Sequence, residues 1–205
     1  MSTRTSTRAR HTAAAALIVA LVPALAACSD DAPADTASIE HTAANGDTYN
    51  DADVEFATEM IPHHADALVM VDMTQGRDLS PELAQLTEDI RAAQAPEIER
   101  MADWLTAWKV EVPETSRDHV NSHDKGDMGD MGLDADDLSM LEDADGNGFE
   151  TMWLAMMIDH HEGAIEMAQE EQAAGLFPEA IALAESIQTS QTAEIGLMEE
   201  MRDRG

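Results

Sequence analysis

The chain repeats itself once, and a repeat of this length leaves few folds open. With an offset of 97 residues and no gap, residues 56–101 lie on 153–198 with 17 identities in 46 positions. A unit this long that occurs only twice is not a solenoid but a duplicated supersecondary element. Each copy is punctuated in the same way. A helical pattern over about 51–75 meets a short turn before Pro81, and a second helical pattern runs to about 109. In the second copy a helix over about 149–173 is followed by Gly175 and Pro178, then a helix to about 202. Both prolines suit the first turn of the helix that follows them. Leu83, Leu86, Ile90, Ile98, Met101 and Leu105 recur at helical spacing, so each helix has an apolar face to bury. The expected fold is all-α, a four-helix bundle of two duplicated hairpins (51–109 and 149–205) joined by residues 110–148. An aromatic fraction of 3% makes a β-sandwich a poor alternative. Pro62 and Pro96 fall inside the first-copy helices, where a kink is expected.

The N-terminus points outside the cytoplasm. Arg4, Arg8 and Arg10 precede an apolar run over 13–27, too short to span a bilayer, which reads as a signal peptide over 1–27. Small residues directly before Cys28, the chain's single cysteine, resemble a lipobox, so Cys28 is expected to carry a lipid that anchors the chain to a membrane. One cysteine excludes an intrachain disulfide and a thiolate zinc site. Residues 28–50 are small and polar and are expected to form a disordered tether, with His41 solvated. The formal charge of −31 excludes nucleic acid as a partner and favours cations without selecting among them.

Chemistry concentrates where the repeat is strictest. Met60, His63, His64, Ala67 and Met70 occupy one helical face, and Met157, His160, His161, Ala164 and Met167 repeat it, with Met156 widening the second stripe. The companion helices repeat Gln94, Glu97 and Met101 as Gln191, Glu194 and Met198. Folding each hairpin about a turn near residue 78 puts Glu97 level with Glu59, within two turns of the histidines. Gln94, Glu97, Gln191 and Glu194 are therefore candidates either to accept a ring N–H from a metal-bound imidazole or to ligate directly. A single methionine at helical spacing is more often core packing than ligand. The two His–His pairs carry the metal expectation, because four inward imidazoles without a partner are costly to bury.

Ligand softness narrows the metal. Thioethers suit Cu(I) and the softer Ag(I), and imidazole accepts copper in either oxidation state, so copper is the expected ligand and silver a companion. Affinity is expected to fall below about pH 6 as imidazole protonates. His119, His123, Met128 and Met131 in the acidic linker form a candidate second metal site, with a solvated linker as the plain alternative. Residues 143–148 match the opening of an EF-hand loop, but Leu154 stands where the twelfth-position Glu is required, so a helix-entry loop is expected after a short helix over 135–142. Trp104, Trp108 and Trp153 are expected in the core.

The paired segments EMIPHHADALVM and MMIDHHEGAIEMA, each followed by a Q-x-x-E-I-x-x-M helix, resemble the bacterial secreted family called domain of unknown function 305, which includes copper-binding proteins of the CopM type. The resemblance covers about 51–201. It implies a ferritin-like four-helix bundle and, for some members, copper binding and resistance, with His63, His64, His160, His161 and the flanking methionines as signature positions. The expectation is a non-enzymatic copper-binding lipoprotein that buffers metal or passes it to a protein partner. One alternative is a ferritin-like dimetal oxidase, although that class wants a Glu three residues before each ligating His, where Met60 and Met157 stand here. The other is a metal-free bundle acting as an oxidant sink or partner-binding module.

Overall fold

In the computed structural model, residues 39–115 and 135–204 are described. They form a short hairpin, β1 (Glu40–Thr42) and β2 (Thr48–Asn50), followed by five helices: α1 (Asp51–Asp72), α2 (Pro81–Trp108), α3 (Ala135–Asp143), α4 (Gly146–Ala174) and α5 (Pro178–Arg204). The four long helices make the expected all-α bundle. α1 packs on α2 and α4 on α5, as two hairpins do, and the hairpins meet chiefly along α1 and α4. The helices on which the His–His pairs lie are thus the ones that face each other. No helix among the described residues is long and apolar enough to cross a membrane.

The end of the expected tether is ordered instead. Asn45-Gly46 is a strong hairpin-turn pair, and Gly46 takes the left-handed φ of +97° that an L side chain resists. His41 pairs with Tyr49 across the antiparallel ladder and, rather than being merely solvated, bonds Asp51 at 2.7 Å. Tyr49 stacks on Trp108 with ring centroids 4.3 Å apart, which gives the hairpin an apolar anchor.

Helix ends follow local chemistry. Asn50 and Asp53 form a reciprocal capping box at α1, and Ser80 caps α2 ahead of Pro81. α1 and α2 remain continuous through Pro62 and Pro96. The expected 143–148 entry loop is shorter: only residues 144–145 link α3 to α4, with Asp145 at the N-cap and 146–148 already in the first turn of α4.

The two hairpins also clasp each other at equivalent positions of the repeat. Asp53, at the start of α1, accepts bonds from Leu176 N at 3.0 Å and Phe177 N at 2.9 Å in the α4–α5 turn. Its counterpart Glu150, near the start of α4, accepts from Ser80 N at 2.6 Å and Ser80 Oγ at 2.9 Å in the α1–α2 turn. Each half thus satisfies otherwise unpaired donors at the helix start of the other. Beside Asp53 lies the buried Glu171, whose carboxyl is pushed up to about 9 by burial first and then by the neighbouring Asp53 carboxyl.

Candidate metal centre

The repeat places four imidazoles in one layer at the middle of the α1–α4 contact. His64 and His161 are fully buried, and His63 and His160 are 7% exposed. The rings of His63 and His160 stand 3.7 Å apart between centroids, tilted by 37°. Gly163 leaves room for His63 against α4, because a Cβ there would lie 3.2 Å from His63 Nε2.

The outer pair is oriented by carboxylates from the companion helices. His64 Nε2 lies 2.9 Å from Glu97 Oε2, and His161 Nε2 lies 2.7 Å from Glu194 Oε2. A carboxylate can only accept, so each Nε2 carries the proton it donates. In the neutral imidazole that leaves Nδ1 as a bare lone pair. Both Nδ1 atoms are buried without a hydrogen-bond partner, as are His63 Nδ1 and both ring nitrogens of His160. The carboxylate–imidazole pairing, with the opposite nitrogen free, is the arrangement that orients a metal-bound histidine. Glu97 meets His64 and not the level of Glu59, because the 73–80 connector runs on past the end of α1 before α2 turns back.

Gln94 and Gln191 are also buried, with both side-chain polar atoms of Gln94 and Oε1 of Gln191 unpartnered. Leaving so many polar atoms unsatisfied in one layer is costly, and a bound cation would relieve the cost for the acceptors.

The methionines are sorted by the layer and do not converge on one point. Met60, Met101 and Met167 join the apolar cluster at one side of it. Met70, Met157 and Met198 join the cluster at the other. Each is buried, so both sides of the imidazole layer are lined by thioethers. Met156 is half-buried and packs on the edge of the second cluster. Trp153 is fully buried and donates to Met70 O at 2.9 Å; Trp108 is buried, whereas Trp104 is half-buried, edge-on to Phe177. Cys28 and the linker residues His119, His123, Met128 and Met131 lie outside the described residues. Among the described residues no group of three or more His, Cys, Asp or Glu side chains, the four imidazoles included, is already arranged to hold a metal ion.

Electrostatics keep the inner pair neutral. Burial, then the neighbouring His64 and His161, lower His63 to about 3. His160 is lowered well below the usual histidine value by burial first and then by the other three imidazoles. A loss of affinity near pH 6 therefore does not follow for ligation through His63 and His160, whose lone pairs stay free of protons well below that pH.

The chain belongs to the family described as domain of unknown function (DUF305), whose model matches residues 53–202. Among solved structures it is similar to CopM in a Cu(II)-bound form, with 31% identity, a TM-score of 0.61, and coverage of 74% of this chain and 96% of that one. CopM has also been solved in Cu(I)-bound and Ag-bound forms. A DUF305 fragment from Deinococcus radiodurans matches at 26% identity and a TM-score of 0.64, over 80% of this chain and 100% of that one. A DUF305 protein from Streptomyces coelicolor matches at 27% identity and a TM-score of 0.63, over 73% of this chain and 91% of that one. No curated protein matches the sequence.

Proposed function

We propose that this protein binds copper, as Cu(I) and with Ag(I) as a close substitute, at the imidazole layer between α1 and α4. The ligands would be drawn from His63, His64, His160 and His161, with thioethers of Met60, Met70, Met157 and Met167 on either side. One observation carries the reading: two matched carboxylate–imidazole pairs hold Nε2–H outward and leave buried Nδ1 lone pairs beside a third and fourth imidazole. The donor chemistry favours a soft or borderline ion, since neutral nitrogen and sulfur are poor ligands for hard cations. The Cu- and Ag-bound forms of CopM support the same ion class at the level of the family.

On this reading copper is cargo. The protein buffers it, confers resistance, or hands it to a protein partner outside the cytoplasm, tethered to a membrane through a lipid on Cys28. The apolar run before Cys28 supports that location.

The test is a competition titration with Cu(I), Ag(I), Cu(II), Zn(II) and Fe(II) in parallel. Tight Cu(I) and Ag(I) binding that disappears when all four histidines are replaced is expected. Tight binding that survives the replacement, or preference for iron, overturns the reading.

A further inference from the structure

The repeat is broken most tellingly at three places beside the imidazole layer. Glu55, Glu59 and Glu170 in one half correspond, at the same 97-residue offset, to Met152, Met156 and Met73 in the other. The three glutamates are exposed, so the fold asks nothing apolar of these positions. They also lie together, since Glu55 and Glu170 are the charges that act on Glu59. By the pseudo-twofold relation, Met73 at the end of α1 faces Met152 and Met156 on α4. All three methionines are half-buried and pack on the same apolar cluster, leaving part of each side chain open to solvent.

Spacing connects the trio to the buried layer. Met152, Met156 and His160 stand at i, i+4 and i+8 on α4, a single ladder along one helix face. Met73 is one turn from the fully buried Met70. Soft donors therefore run from the surface to the imidazoles on this side. On the other side the ladder reads Glu55, Glu59, His63, which offers hard carboxylates instead.

We propose that Met73, Met152 and Met156 form a second, solvent-accessible site for a monovalent soft cation, Cu(I) or Ag(I), which loads the buried imidazole layer. Three neutral thioethers bind such an ion and reject Zn(II), Ca(II) and Mg(II), for which thioether is a poor ligand. The ion moves inward by ligand exchange along methionine sulfur, with no change of oxidation state. Loading rests on the function proposed above; binding by the trio does not.

The test uses protein labelled with 13C-methyl methionine, titrated with Ag(I) in chloride-free buffer. The methyl signals of Met73, Met152 and Met156 are expected to shift on Ag(I) addition and to stay put with Zn(II). Replacing the trio by the residues of the other half, Met73→Glu, Met152→Glu and Met156→Glu, should abolish that response and slow the arrival of Ag(I) at the histidines. Unmoved trio signals in the unaltered protein, while imidazole signals respond, would overturn the second site and leave the buried one standing. Trio shifts that persist in a His63→Asn, His160→Asn protein, with no imidazole response in the unaltered chain, would keep the second site and remove the buried one.

Discussion

The two sides of the imidazole layer are built from the same repeat and have diverged in opposite directions. Both sides hold buried aromatics, Phe149 and Trp153 on one and Tyr49, Phe56, Trp108 and Phe177 on the other, but the latter, around Met60, Met101 and Met167, is edged by the acids Glu55, Glu59 and Glu170. The side of Phe149 and Trp153 keeps Met70, Met157 and Met198 and adds Met73, Met152, Met156 and Met201. Between them the histidines and their glutamate partners have not changed. What is shared by both halves is the orienting geometry; what differs is the softness of the approach. Duplication followed by divergence of the rim leaves a symmetric imidazole layer with chemically asymmetric flanks.

The comparison breaks first at the shared layer. Replacing His63 and His160 together by Ala should weaken copper binding on the order of 100-fold or more, far beyond the effect of deleting residues 115–132. The reverse ranking in a competition titration would move the main site to the linker. Next, Glu97→Ala and Glu194→Ala should each cost about 10- to 100-fold in affinity, and by about the same factor, because each orients one equivalent imidazole. A large effect at only one of them would show that a single half does the binding.

Smaller effects test the clasps and the buried acids. Asp53→Ala removes a buried acceptor serving three backbone N–H groups and should cost about 2 kcal/mol in denaturant unfolding, whereas Glu150→Ala, in a more exposed setting, should cost about 1 kcal/mol. The metal-free protein should also lose stability as pH falls from about 6.5 toward 3. Over that window the unfolded chain protonates His63 and the folded bundle does not, giving a slope of about 1.4 kcal/mol per pH unit for that residue. Glu171 acts in the opposite sense, since its folded form holds a proton that the unfolded chain gives up above about 4.5. Its contribution is lost as pH rises toward about 9, and Glu171→Gln should flatten that alkaline decline in thermal melts at pH 6 to 9.

Much of this was legible in the sequence because the repeat acts as an internal alignment. It gave the hairpins, the four histidines, and the pairing of each first helix with a Gln/Glu/Met companion. The rest depended on information an identity count discards. Asp53 and Glu150 perform the same clasp but differ by one methylene, so they scored as a mismatch outside the matched segment. A fold about residue 78 sets Glu97 level with Glu59, whereas it meets His64, because helix pairing depends on how far a connector overshoots, which composition does not encode. The 40–50 hairpin was masked by its small polar residues, although Asn45-Gly46 was the signal for it. Met73 and Met152 are hidden because they stand where the two halves disagree, and Met156 shows in the sequence only as a widening of the second stripe.

The central claim is that the outer imidazoles are held by Glu97 and Glu194 so that Nδ1 faces a soft cation. Long-range nitrogen–proton spectra of 15N-histidine-labelled protein, recorded before and after Cu(I) addition, test it directly. The account predicts that Nδ1 of His64 and His161 shifts on metal binding while Nε2 stays protonated. Copper bound with all four imidazoles unperturbed, or with the metal on Nε2 of His64 and His161, would contradict it.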